Sequence, residues 1–164
     1  KDSATRWNPG KPPAVAAIAS LSSIAVTLPA ETKEATVYKL LISGSRTTNP
    51  KMEQVARSAV KRAWYLGWHV LVGDATGIDA VVVRSCLVYL VPFTCYGINT
   101  TPRNLQCPQE NYIRIYGTYY QRDEHMATVC DRCFAIWNGR SRGTKYTYDC
   151  AVRLGKPADI QVYE

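Results

Sequence analysis

Histidine is scarce in this sequence of 164 residues: His69 and His125 are the only two, and they stand far apart with no ligand spacing between them. A zinc site built on a His pair therefore has nothing to draw on. Cysteine is present at 86, 95, 107, 130, 133 and 150, but Cys130-x-x-Cys133 has no second close pair to complete a four-ligand site. The six are read as small core residues in a reducing compartment, which gives a cytoplasmic protein with no metal and no cofactor. No run of five Lys or Arg occurs, although the formal net charge is +7. The charge is thus spread, compatible with anionic partners and equally with a generally basic surface. No apolar run is long enough for a confident membrane span. The best, Ala14 to Leu28 before Pro29-Ala30, is short and Ser-rich, and it lacks the compact basic start of a secretory leader. There is no internal repeat. What is left is a globular chain, 46% apolar and 20% charged, of a length that suits one domain. Residues 1–36 read as an ordered N-terminal extension packing on a domain over 37–164.

What the chain does have is a loop, Trp137-Asn138-Gly139-Arg140-Ser141-Arg142-Gly143-Thr144, between an apolar strand (Cys133 to Ile136) and a helix (Lys145 to Leu154). Amides at a helix start lack intrahelical acceptors and sit at the positive end of the dipole. Gly139 and Gly143 remove bulk there, Ser141 and Thr144 offer hydroxyls, and Arg140 and Arg142 add charge. The pattern is that of a phosphate cradle. A plain helix N-cap after a turn would read the same way.

The rest of the chain alternates. Val37 to Ser43 reads as a strand followed by Gly44-Ser45-Arg46. Asn49-Pro50 starts a helix that Gly67 closes. Trp68 to Val72 is a strand running into Gly73-Asp74-Ala75-Thr76-Gly77-Ile78-Asp79, with a helix over Ile78 to Leu90 and a third strand over Pro92 to Ile98. Asn99 to Gly117 is a long irregular connection of the kind that often serves as a binding loop. Thr118-x-x-Gln121 is a capping box opening the third helix. The fourth helix ends at Gly155, and Ala158 to Tyr163 forms a final edge strand. This is an α/β, Rossmann-like three-layer sandwich with a mostly parallel five-stranded sheet, in the order 3-2-1-4-5. In that order the three Gly-containing loops meet at the switch point, where such sheets bind ligands.

Chemistry then assigns roles. Arg46 can grip a phosphate or carboxylate in a bidentate fork, or be an ordinary surface arginine. Asp79, in a first helical turn, can accept from ribose hydroxyls or simply cap. Asp74 has a weaker claim, since a loop Asp commonly makes a local turn. Arg122 shares a helix face with Tyr119 and Met126 and can point into the crevice; Tyr119 or Tyr120 can stack on a base or pack as core.

These residues carry a resemblance. Ser43-Gly44-Ser45-Arg46, Gly73 to Asp79, Arg122-x-x-x-Met126, Trp137-Asn138-Gly139-x-Ser141-x-Gly143-Thr144 and Gly155-Lys156-Pro157 together resemble the SLOG superfamily, nearest its YspA-related members, over Val37 to Glu164. The resemblance implies a Rossmann-like domain binding a nucleotide or nucleotide-derived ligand through Gly44, Ser45, Arg46, Gly73, Asp74, Gly77, Asp79, Arg122, Gly139, Ser141, Gly143 and Thr144. The superfamily includes the LOG phosphoribohydrolases, DNA-processing proteins that bind single-stranded DNA, and nucleotide-signal sensors; the deoxyribosyltransferases are similar in the last motif. This chain departs from the hydrolases, which carry a Glu within the next helical turn where it has no carboxylate until Asp149, and from the transferases, whose Glu three residues after Thr144 is here Thr147. Glycosidic cleavage needs a carboxylate to stabilise or attack the ribosyl cation, and Asp79, Asp123 and Glu124 are the available substitutes. The leading reading is a nucleotide-binding module acting as a sensor. An N-glycosidic-bond enzyme and a single-strand nucleic-acid binder are the alternatives. The assembly state is open, a homo-oligomer among the options.

Overall fold

A computed structural model describes residues 36–164, so the extension read over 1–36 lies outside the described residues. Strands β1 (Lys39–Gly44), β2 (His69–Gly73), β3 (Phe93–Gly97), β4 (Tyr112–Arg114), β5 (Arg132–Trp137) and β6 (Ala158–Val162) form one sheet in the order β4-β3-β2-β1-β5-β6, every neighbouring pair parallel. Helices α1 (Pro50–Leu66), α2 (Ile78–Tyr89), α3 (Tyr119–Val129) and α4 (Arg142–Arg153) connect them.

The period-two alternation of the central strands explains the three layers. On β1, Leu40 and Ile42 face a core shared with Met52, Ala56 and Val60 of α1 and Val82 and Val83 of α2. Leu41 points the other way, to a second core with Met126 of α3 and Cys150 and Ala151 of α4. Val70 and Val72 on β2 divide from Leu71 in the same manner. The β-branched run Val81-Val82-Val83 is helical because burial against the sheet overrides its propensity. All six cysteines are buried with free thiols.

The sheet has one strand more than the sequence predicts. The five expected strands keep their expected relative order, and β4 adds a sixth at the edge beside β3. β4 lies inside the connection read as irregular and follows a 3-10 turn, Gln109–Asn111. Three residues are too few to display an alternation, and only Tyr112 of the three is buried. Among the described residues, no helix is long and apolar enough to cross a membrane.

The chain leaves β1 towards one face and β5 towards the other, although the two strands are neighbours. A crevice opens at their carboxyl ends, as the switch-point rule requires.

Candidate functional site

The loops at this crevice are locked to one another by backbone geometry. The Ile78 amide donates to Ser45 O (3.1 Å). A Cβ on Gly44 would stand 2.2 Å from the Ile78 side chain, and one on Gly77 would stand 2.3 Å from Arg46 O, so the first two loops touch only because both residues are glycine. Gly77 also takes φ +78°. Ser45 is fully buried; its amide donates to Ile136 O (3.1 Å), and its Oγ accepts from the Asn138 amide (3.0 Å). The loop after β1 is thereby stapled to the loop after β5.

Asn138 organises the latter loop. Its Oδ1 accepts from the amides of Arg140 and Ser141, each at 3.0 Å, while Trp137 Nε1 donates to Ser141 O (2.9 Å). Gly139 makes the turn with φ +78°. The start of α4 is left open. Ser141 makes no side-chain bond to a helix amide; its Oγ instead meets Thr144 Oγ1 at 3.0 Å. Gly143 is exposed, and a Cβ there would find only Asp123 Oδ2, at 4.0 Å.

A cavity of about 700 Å³ lies between these loops. Its outer rim carries Arg46, Arg140 and Arg142, all exposed. Among the described residues none of the three guanidinium groups has a carboxylate within ion-pair distance. Its floor has the opposite character. Asp79, Arg122 and Asp123 line it and are all buried. Arg122 Nη1 donates to Tyr96 O (2.9 Å) and lies 3.4 Å from Asp74 Oδ1; its Nε is 2.9 Å from Asp123 Oδ1 without an aligned hydrogen bond. Asp74 is fully buried behind the floor. It accepts from Nε and Nη2 of Arg103 (3.0 and 2.7 Å) and from the Arg103 amide (3.1 Å). The Arg103 and Arg122 guanidinium groups both lie over the Tyr119 ring, at 4.1 and 5.2 Å from its centroid.

Two of these carboxyls are perturbed. Burial pushes Asp79 up to about 6, against the pull of Arg122 and of the Ala75 amide, which donates to its Oδ2 (3.2 Å). Burial likewise pushes Asp123 up to about 6, opposed by Arg122 and by the Thr147 hydroxyl. A cavity with free cations at the rim and desolvated acceptors on the floor suits a ligand that is anionic at one end and rich in donors at the other.

Of the residues predicted from sequence, Gly44, Arg46, Gly73, Asp79, Arg122, Ser141, Gly143 and Thr144 line this cavity together. Ser45, Asp74, Gly77 and Gly139 do not; they staple, counter-charge or turn the loops that do. Arg103 lies beyond the reach of the sequence, its only signal being the length of its loop. Asp123 shows in the sequence only as a stand-in carboxylate. A separate cavity of about 540 Å³, lined by Val55, Arg62, Trp68, Phe134 and Asp159 among others, lies over the α1 face of β5 and β6 and brings together no comparable set of charges.

Known proteins of this shape can now be set beside it. No family model matches the sequence, and no curated protein matches it. Solved structures do match. The DNA processing protein A of Helicobacter pylori, described for its single-stranded DNA binding mode, superposes with TM-score 0.60 at 17% identity, over 76% of this chain and 65% of that one. The molybdenum cofactor binding protein of Rippkaea orientalis superposes with TM-score 0.66 at 16% identity, over 79% of each chain. The Moco carrier protein of Chlamydomonas reinhardtii gives 0.63 at 17% identity, over 78% of each. The chain has the fold of these DNA-processing and molybdenum-cofactor-binding proteins, the fold the sequence resemblance implies. At these identities the fold is what is shared. The chain spans slightly less than two thirds of the Helicobacter protein.

Proposed function

We propose that this chain binds a nucleotide or nucleotide-derived ligand in the 700 Å³ cavity and acts as a cytoplasmic sensor of it. The observation that carries the reading is the division of charge within one cavity. A phosphate lies against the open start of α4, within reach of Arg46, Arg140 and Arg142, while sugar hydroxyls donate to Asp79 on the floor. Preorganisation supports it, since the loop is held by its own hydrogen bonds through Asn138, Ser45 and Trp137. The test is native mass spectrometry of protein purified from cells. A stoichiometric nucleotide-sized adduct is expected, and an adduct that persists in an Arg46→Ala, Gly143→Val double variant would contradict the assignment.

One observation favours a second reading, cleavage at an N-glycosidic bond. Position 147, where the resembling transferases place a glutamate, is Thr147, whose hydroxyl donates to Gly143 O (2.9 Å), and the nearby carboxylate on the cavity floor is that of Asp123. Asp123 Oδ2 also lies 4.0 Å from where a Gly143 Cβ would stand. A carboxylate is therefore supplied to the start of α4 through space, from α3. Prolonged incubation with nucleoside monophosphates separates the readings: free base, lost in Asp123→Asn, favours the enzyme. The Helicobacter neighbour and the +7 charge favour a third, single-stranded nucleic acid, which a steep salt dependence of oligonucleotide binding would support.

A further inference from the structure

Behind the rim lies a smaller cavity of about 470 Å³, and it shares a wall with the first. Thr47, Asn138 and Arg140 line both. We infer that the two cavities together hold one dinucleotide: the second takes a further nucleoside carried on the phosphate that Arg140 holds on the dividing wall. This rests on the nucleotide reading above and narrows its ligand class.

The second cavity has the composition such a group needs. Tyr163 lines it, half-buried and packed in part against the α1 core, held by its amide to Trp137 O (2.8 Å) and by its hydroxyl to Gln161 Oε1 (2.5 Å); Lys51 Nζ lies over the ring, 5.7 Å from its centroid. A base stacks on the part of the ring that borders the cavity, in place of the lysine. The polar walls are Thr47, Thr48, Asn49, Asn138, Arg140 and Glu164. Asn49 Oδ1 is committed to the Met52 amide (2.9 Å), so its Nδ2 remains to donate. Gly139 leaves the entrance clear, because a Cβ there would meet only the Glu164 side chain, at 3.9 Å. Each cavity separately falls in the range of roughly 300–1,000 Å³ common for small-ligand sites, so each is of a size for one nucleoside. Arg140 has no carboxylate partner among the described residues, and a guanidinium between two cavities suits a phosphate shared by two nucleosides.

The test is calorimetric titration of the full chain with three probes for each base: the 5′-mononucleotide, the phosphodiester-linked dinucleotide and the pyrophosphate-linked dinucleotide. One dinucleotide is expected to bind at least tenfold more tightly than any mononucleotide. Tyr163→Ala is expected to remove that advantage and leave mononucleotide affinity unchanged. Thr48→Trp, which fills the second cavity from another side, is expected to do the same. Equal affinity for mononucleotide and dinucleotide, or equal losses for both in Tyr163→Ala, overturns the two-cavity assignment while leaving the nucleotide reading in place. Failure of every probe to bind overturns the nucleotide reading itself. A longer single strand that binds far more tightly than any dinucleotide, with steep salt dependence, replaces the free dinucleotide with nucleic acid.

Discussion

Helices α3 and α4 lie side by side and start at the same rim of the sheet, but their first turns are completed in opposite ways. Thr118 caps α3 fully: its Oγ1 accepts from the Gln121 amide (3.2 Å), and Gln121 Oε1 accepts from the Thr118 amide (2.8 Å). At α4 the corresponding hydroxyl, on Ser141, turns away to Thr144 Oγ1. The same contrast holds in the charges. Arg103 and Arg122 are spent on Asp74 and Asp123, while Arg46, Arg140 and Arg142 face the cavity without a carboxylate among the described residues. One side of the cavity is closed on itself and the other is left with capacity. Substitutions on the closed side should therefore cost stability, and those on the open side should cost binding.

The largest effect is expected at Asp74. Asp74→Ala leaves two arginines beside a buried void and should destabilise the fold by about 3–5 kcal/mol, read by chemical denaturation. A loss below about 1 kcal/mol would mean that this side is not closed by its ion pairs. Next comes pH. Asp79 binds its proton more tightly folded than unfolded, since burial moves it from 3.8 to about 6. Its contribution to stability is present at low pH and is lost as pH rises from about 4 through 6. Melting temperatures across that window should fall less in Asp79→Asn than in the parent, and nucleotide affinity at pH 7 should drop in the same variant although its melting temperature does not fall. A parallel pH profile would contradict the burial of an ionisable group there. Thr118→Ala should lower stability by about 1 kcal/mol, the usual value of an N-cap. Ser141→Ala should cost less than half of that, because no helix amide depends on Ser141 Oγ. If these two thermal denaturation shifts are equal, the two helix starts are not different in kind.

The sequence made local features legible and distant ones not. Asn49 capping Met52, Gly67 in the left-handed region at the end of α1 and the Thr118–Gln121 box all depend on residues within a turn of each other, and each is found in the structure. Alternation shows the parallel α/β class, and taking the common strand order gives the relative order of the five expected strands, though not the sixth at the edge. In sequence Ser45 stands as a candidate ligand because nothing local shows that its Oγ accepts from the Asn138 amide, 93 positions on. In sequence Asp74 shows only its turn, whereas its partners are Arg103 and Arg122, 29 and 48 positions away. Asp123 reached the site through packing of α3 on α4, which no spacing within one helix displays.

The claim that the open start of α4 holds a phosphate is tested most directly by titrating a nucleotide and its matching nucleoside into Arg46→Ala and Gly143→Val. Each variant should keep its fold and lose about 1.5–3 kcal/mol of nucleotide affinity, the range for a charged hydrogen bond, with Gly143→Val at least as affected as Arg46→Ala. Affinity for the nucleoside, which lacks the phosphate, should barely change. Equal losses for nucleotide and nucleoside would contradict the account and reduce the loop to an ordinary helix start.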